Sequence, residues 1–299
     1  MSRRSEDCTV GVLYCGDLGA ALARTLTEAG IRVVTTCEGR TRQTQERAEA
    51  AEIEILPTLD AVVSTADVVV SLVLPNAAEQ VARQYADRQH LCPRESLFID
   101  ANSVDLQTIS AIQTILEKAN IRFVDAAIHG GAKTLKQLGV MYLSGRDADD
   151  ARAIFGSAVR AHSLGDQIGQ ATRMKLLMAG LSKSLNLLFL EIAILAHEAE
   201  MSDQFLSESR AFYPGLMTAI ERMLPTYPQH ASRRVMELRS IEEMARSIGA
   251  PHQIVHSARG LLQAVAGAWE DELRATSVLD ISQIIAIAAA AMTTSDPDI

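Results

Sequence analysis

Two glycines three apart close an apolar run at Val10–Gly19, VGVLYCGDLG. A turn of this kind that opens a helix offers unpaired backbone N–H groups and a positive dipole end to a phosphate. In a dinucleotide turn the first glycine permits the bend, the second admits the pyrophosphate, and the third lets the helix pack on the strand. Gly16 and Gly19 fill the second and third roles, and Tyr14 stands in the first. Tyr14, Cys15, Gly16, Asp17 and Leu18 are therefore candidate cofactor contacts. About twenty residues on, Thr36–Arg42 reads TCEGRTR. An acidic group there would bind the ribose 2′-hydroxyl of NAD, and an arginine would pair with the 2′-phosphate of NADP. Glu38, Gly39, Arg40 and Thr41 contain both options. Arg40 and Thr41, with Arg42 behind, make a compact phosphate-binding set, since guanidinium grips phosphate as a fork. NADP is the expected cofactor and NAD the alternative.

A second group of residues suits proton and oxyanion chemistry. Lys175 sits between Met174 and Leu176-Leu177-Met178. Desolvation there disfavours the ammonium and brings its proton affinity toward that of a proton carrier. As a cation it would also stabilise a developing alkoxide. The plainer alternative is a core-helix lysine that reaches for solvent along its stem. Gly130 and Gly131 can bring backbone N–H groups close to an oxyanion because no Cβ intervenes. His129 before them can orient a hydroxyl or act as a second acid, or it is a loop histidine on the surface. Asn102 and Ser103 follow a strand end, where open α/β sheets bind ligands, so either can touch nicotinamide or substrate. Ser103 could equally cap a helix over Asp105–Lys118. Lys183, two turns beyond Lys175, can assist with an anion or be solvated.

These residues need a frame. Val10–Tyr14, Ile31–Thr36, Asp67–Leu74, Ser96–Asp100, Arg122–Asp125 and Val140–Ser144 read as strands, with helices such as Ala20–Ala29 and Arg42–Ala51 between most of them. Alternation of this kind implies a doubly wound parallel sheet. After about Gly165 the pattern is helical only. A proline-free helix spans Ile168–Glu200, and further helices fit Gln204–Glu208, Gly215–Met223, Ala231–Ile248, Pro251–Trp269 and Ile281–Met292. The expected architecture is α/β plus all-α: a Rossmann-type domain over residues 1–166, then an all-helical substrate and dimerisation domain over 167–299.

Composition bounds the partners. The 299 residues are 48% hydrophobic and 22% charged, with a net charge of −9. That balance suits a globular protein and speaks against nucleic acid or an anionic membrane as partner. The start, MSRRSEDCTV, has no apolar core and does not read as a secretory signal. No uninterrupted apolar run reaches the ~20 residues of a membrane span; Leu185–Ala196 is broken by Glu191. The cysteines at 8, 15, 37 and 92 show no metal or disulfide spacing, so no metal is expected and the protein reads as cytoplasmic with reduced thiols. Met174–Glu200 and Leu279–Met292 carry more apolar surface than one small domain buries, which predicts a homodimer through these helices.

Six segments in order resemble the β-hydroxyacid dehydrogenases, the group of 3-hydroxyisobutyrate and 6-phosphogluconate dehydrogenases. VGVLYCGDLGAALA is similar to their glycine-rich turn, EGRT to their NADP-selecting loop, and FIDANSV (Phe98–Val104) to their D-x-S/N segment. SLVLPNAAEQV (Ser71–Val81) is similar to the loop beside the nicotinamide, which implies contacts from Leu74 and Pro75. FVDAAIHGGAKTLKQLGVMYLSG (Phe123–Gly145) resembles the substrate-binding signature, which implies that His129, Gly130 and Gly131 form the substrate loop. GQATRMKLLMAG (Gly169–Gly180) resembles the segment carrying the catalytic lysine, which implies that role for Lys175. His129 stands where the family has serine. Met178 and Ala179 stand where it has asparagines, which points to a bulkier or less polar substrate than a small hydroxy acid. The implied activity is NADP-dependent hydride transfer between nicotinamide and a hydroxy acid, alcohol or carbonyl. The alternatives are an imine reductase-like enzyme, against which the lysine argues, and a nucleotide-binding sensor without chemistry. The Arg233-Arg234-x-x-Glu237 segment receives no role.

Overall fold

A computed structural model describes residues 8–91, 96–275 and 279–294. Cys92 and most of the amino-terminal segment considered above lie outside them. The chain divides into two compact units, Met1–Lys175 and Leu176–Ile299. The division thus falls inside a long helix, later than the expected boundary after residue 166.

The first unit holds an eight-stranded sheet of order β3-β2-β1-β4-β5-β6-β7-β8. The strands are β1 Thr9–Leu13, β2 Arg32–Thr36, β3 Glu54–Leu56, β4 Val68–Ser71, β5 Leu97–Asp100, β6 Arg122–His129, β7 Val140–Ser144 and β8 Arg160–Ser163. Helices α1 Asp17–Glu28, α2 Arg42–Ala50, α3 Leu59–Thr65, α4 Ala78–Ala86, α5 Leu106–Lys118, α6 Leu135–Leu138 and α7 Ala148–Phe155 connect them. Two apolar clusters pack on the sheet. One gathers Val10, Val12, Leu22 and Leu26 with Ile99 and Met141; the other gathers Leu13, Val34, Val62, Val69 and Phe98. Successive residues of β1 and β5 thus feed opposite faces, as the period of a strand covered on both sides requires.

The expected sheet is corrected at one place. β6 runs on to His129 and pairs antiparallel with β7, Asp125 opposite Ser144 and His129 opposite Val140. All other pairings are parallel. Residues 130–139 between β6 and β7 hold only a 3-10 turn and the four-residue α6, less than a parallel crossover needs, so the chain returns antiparallel. β3 and β8 are short strands at the two sheet edges and carry no long apolar run.

The helical part consists of α8 Gln170–Glu198, α9 Ser202–Phe212, α10 Pro214–Met223, α11 Ala231–Ser247, α12 Gln253–Ala275 and α13 Ile281–Thr294. Its core holds Leu187, Leu190, Ile220, Leu238, Leu262, Val265 and Trp269, all at or near zero exposure. Against expectation, one face of α13 is core: Ile284, Ile285, Ala288 and Ala289 are buried, as is Leu279 just before the helix. A helix with alanine on most faces packs closely on its neighbours and leaves little apolar surface outside. A second correction concerns α8. By length and composition it is apolar enough to cross a membrane, with a mean hydropathy of 1.5 over its best window, of which 44% is buried.

Candidate active site

The carboxyl ends of β1, β4, β5 and β6 share one sheet edge, because these strands are mutually parallel and Leu13, Ser71, Asp100 and Asp125 lie in register. The chain winds outward from β1 in one direction and from β4 in the other, so this edge contains the switch point at which open α/β sheets hold ligands. Every candidate site residue up to Lys175 belongs to this unit.

At the end of β1, Gly16 precedes α1, and no side chain caps the helix. Its first N–H groups therefore remain available to an anion. Beside Gly16 no atom lies within 4 Å of where a Cβ would project, whereas a Cβ on Gly19 would strike the Tyr14 carbonyl oxygen. Gly19 is thus needed for helix–strand packing and Gly16 for open approach. Asp17 is paired with Arg47 at 2.8 Å, and the Cys15 thiol is buried and pushed up to about 11 by that burial, partly offset by a hydrogen bond with Thr35. Cys15 can therefore meet a cofactor only through its backbone. Leu18 packs on the core.

Tyr14 is 5% exposed and lies beneath the Arg40 guanidinium, 4.1 Å from carbon to ring centroid. Burial raises the Tyr14 pKa and Arg40 opposes the rise. The residue that replaces a glycine thus supports the loop arginine by a cation–π contact. Gly39 turns that loop at φ 66°. Thr41 caps α2 through its hydroxyl, which accepts from the Thr44 N–H. Glu38 accepts a hydrogen bond from the Leu59 N–H at 2.9 Å, at the start of α3. Its carboxylate is engaged within the protein. Arg42 points away and pairs with Glu46 at 2.8 Å, with 91% of its side chain exposed.

Leu74 is 73% exposed at the edge, immediately after β4, and Pro75 opens the turn that follows. The Asn102 side-chain oxygen accepts from the Val73 N–H at 2.5 Å; its amide nitrogen donates to Asp100 at 2.6 Å and Ser71 at 3.0 Å. At 3% exposure its side chain staples the β4 and β5 ends together. Ser103 does not cap the following helix, because Asp105 does so by accepting from the Thr108 N–H at 2.8 Å. The Ser103 hydroxyl instead accepts a hydrogen bond from Lys175 Nζ at 2.6 Å. His129 ends β6, half-buried, and Gly130 follows at φ 125°. Gly131 starts a short 3-10 turn, Ala132–Thr134, with open space where a side chain would project.

Two carboxylates that the sequence reading passed over organise the centre. Asp125 holds the first turn of α8: it accepts from the Thr172 N–H at 3.1 Å and the Thr172 hydroxyl at 2.7 Å. The Ser144 hydroxyl donates to Asp125 at 3.0 Å and accepts from the Ala171 N–H at the same distance. Anionic capping of helix N–H groups in a dry setting is strong, and it fixes the helix three residues before Lys175. Asp100 is fully buried on the neighbouring strand. Burial pushes its pKa up to about 7; the two Asn102 hydrogen bonds and the Lys175 charge oppose the rise, and Asp125 adds to it. An aspartate inside an otherwise apolar strand, in FID and again in FVD, was the signal available in the sequence.

Lys183 lies in the helical unit. It is 8% exposed and forms an ion pair with Glu237 at 2.6 Å, so it is neither solvated nor open to a ligand beside Lys175. A groove of about 820 Å³ opens between Arg122, Arg146, Asp166 and Arg173, at the opposite end of β6 from His129. Among the described residues no group of His, Cys, Asp or Glu is placed to hold a metal ion.

The family model of the NAD-binding domain of 6-phosphogluconate dehydrogenase matches residues 9–156, and that of a domain of unknown function matches 196–265. Residues 9–156 thus carry the NAD-binding domain of the 6-phosphogluconate dehydrogenase type, and the chain as a whole fits a divergent member of the β-hydroxyacid dehydrogenase family. Its cofactor is a nicotinamide dinucleotide and its chemistry that of a dehydrogenase or reductase. An uncharacterized 28.5 kDa protein from Methanothermus fervidus is 25% identical over 197 residues, 66% of this chain and 74% of its own length. The 3-hydroxyisobutyrate dehydrogenase of Salmonella typhimurium superposes with a TM-score of 0.71 at 18% identity, over 94% of this chain and 100% of that one. An imine reductase from Myxococcus stipitatus, a variant in complex with NAD+, gives 0.58 at 15% identity, over 94% and 99%. At these identities the two structural likenesses speak for the fold.

Proposed function

We propose that the protein transfers a hydride between NADP(H) and an alcohol or hydroxy acid, or its carbonyl counterpart, with Lys175 moving the proton. The observation that carries this reading is the hydrogen bond from Lys175 Nζ to Ser103 Oγ. It holds an ammonium at the carboxyl edge of the sheet, on the side where Gly16 leaves the α1 N-terminus open. The cofactor supplies or accepts the hydride. In the reducing direction Lys175 donates a proton to the developing alkoxide, and its charge stabilises that oxygen beforehand. In the oxidising direction it receives the hydroxyl proton. Ser103 orients the amine. Asp125 fixes the helix that carries it, and Asp100 provides a buried carboxylate whose charge Lys175 feels. The backbone N–H groups of Gly130 and Gly131, with His129, face the substrate's oxygen atoms.

The preference for NADP rests on two contacts. Tyr14 holds the Arg40 guanidinium in place for a 2′-phosphate. The Leu59 N–H occupies the Glu38 carboxylate, which would otherwise suit the 2′-hydroxyl of NAD. Met178 and Ala179 in place of amides favour a substrate with an apolar flank.

We also propose a homodimer, held by α8, in a protein of the cytoplasm. Leu177, Leu181, Leu185, Leu188, Ile192 and Leu195 are each 39–61% exposed. Their spacing of three and four residues makes one stripe along the helix. A second copy of the same stripe would cover it.

The test is nicotinamide oxidation with a panel of aldehydes, ketoacids and cyclic imines. Turnover of a carbonyl with NADPH supports the reading. Turnover of imines alone assigns the protein to reductases of that class, and cofactor binding without any turnover assigns it to sensors.

A further inference from the structure

The Arg233-Arg234-x-x-Glu237 segment has no part in the chemistry at Lys175. Within the helical unit it concentrates positive charge. Lys183 and Arg233 both pair with Glu237, at 2.6 and 3.4 Å. Arg234 joins them at 6% exposure; its Nη2 donates to Thr226 Oγ1 at 2.7 Å, and its guanidinium stacks on the Tyr227 ring at 3.9 Å. Two cations thus pair with one carboxylate and a third lies near enough to feel its charge, in a chain of net charge −9. Nearby, His230 is held below the ordinary histidine range by burial and by the charges of Arg233 and Arg234.

Two polar atoms in this cluster are orphaned. Arg234 Nη1 and the Tyr227 hydroxyl are buried and have no hydrogen-bond partner among the described residues. Tyr227 is fully buried and Arg234 more than nine-tenths buried. Native folds pair such groups, so an orphaned pair of donors marks the place of an absent acceptor. Burial pushes the Tyr227 phenol up to about 12, which keeps it a donor at neutral pH. Both atoms can donate, and among the described residues neither has an acceptor.

We propose that Arg234 and Tyr227 bind a small oxyanion, a carboxylate or a phosphate, inside the helical unit. Nη1–H and the phenolic O–H donate to its oxygens, while Lys183 and Arg233 supply the charge that Glu237 leaves unbalanced. Two successive single 3-10 turns, Leu224–Thr226 and Pro228–His230, carry Thr226 and flank Tyr227 beside the cluster. The proposal does not rest on the reading of Lys175.

The experiment uses the full chain without nicotinamide. Trp269, the sole tryptophan, is fully buried on α12 in the same unit and donates to the Ile284 carbonyl at 3.2 Å. Its fluorescence and the thermal midpoint are followed during titration with inorganic phosphate and with malonate, against potassium chloride at matched ionic strength. Saturable binding of either oxyanion is expected, and the better of the two identifies the headgroup. Tyr227→Phe should weaken binding several-fold and Arg234→Met about tenfold or more, as loss of one neutral and one charged hydrogen bond predicts. Arg234→Lys keeps the charge without the stacked guanidinium and serves where Arg234→Met does not fold; it too should weaken binding. Neither anion acting beyond potassium chloride, or unchanged affinity in Tyr227→Phe and Arg234→Lys, would overturn the proposal. Absence of hydride transfer would leave it standing.

Discussion

Tyr14 and Arg40 act as a pair, and the pair explains why a dinucleotide turn can tolerate tyrosine where glycine is usual. The ring fills the space under the adjacent loop and fixes the direction of the guanidinium. Removing the cation in Arg40→Ser should raise the KM for NADPH about ten- to a hundredfold, the worth of a charged hydrogen bond, and leave that for NADH nearly unchanged. Tyr14→Leu should produce a smaller shift of the same sign, since a cation–π contact contributes about 0.5–2 kcal/mol. Steady-state kinetics with both cofactors measures each. Asp100 carries a second prediction at this scale. Burial pushes its pKa up to about 7, above the ordinary value of 3.8, so between those values the folded state binds the proton that the unfolded state has released. Its contribution to stability is then present at acid pH and falls as pH rises from about 4 to 7. Asp100→Asn should remove this slope, read as a flatter dependence of the urea midpoint on pH than in the wild type. An identical slope in both proteins would contradict it. Lys175 and Ser103 could be singled out by type and order, and the structure joins them by a hydrogen bond. Asp100, Asp125 and the hydrogen bonds of Asn102 could not, because each depends on which strand lies beside it.

At the scale of elements, the strand–turn–helix unit separates two glycines by function. Gly19 meets backbone and Gly16 meets open space. Gly19→Ala should lower stability by about 1–3 kcal/mol, as overpacking does. Gly16→Ala should fold with near-native stability, its φ of −67° being open to any residue, and bind nicotinamide cofactors more weakly. Denaturant unfolding and cofactor titration on the two variants check both. α8 was readable almost to its ends, Gln170–Glu198 against an expected Ile168–Glu200, because a long proline-free apolar pattern overrides local ambiguity. The antiparallel return of β6 into β7 was not readable. Strand direction leaves no mark on the period of two; only the length of the β6–β7 turn carries it. β3 and β8 escaped because strands of three or four residues at a sheet edge need little apolar sequence.

For the whole molecule, composition and order of elements pointed to an α/β unit followed by a helical one, and the two compact units agree with that plan. The boundary was harder to place, because α8 continues through it and no change of pattern marks Lys175. The dimer proposal belongs to this scale. Leu181→Glu combined with Leu188→Glu would put two charges at the middle of the α8 stripe. Light scattering should report a dimer for the wild type and a monomer for the double variant, both folded by circular dichroism. A wild-type monomer at micromolar concentration would remove the proposal. The same stripe accounts for the hydropathy of α8, because apolar residues on its exposed face add to those it buries.

The central claim is that Lys175 moves the proton when hydride is exchanged with NADP(H). The most direct measurement compares wild type with Lys175→Met in NADPH oxidation, using a carbonyl that the wild type reduces, with NADPH affinity measured separately by fluorescence titration. The expected result is a fall in kcat of roughly 10²–10⁴-fold with NADPH affinity retained. A Lys175→Met variant that turns over at the wild-type rate would contradict the account.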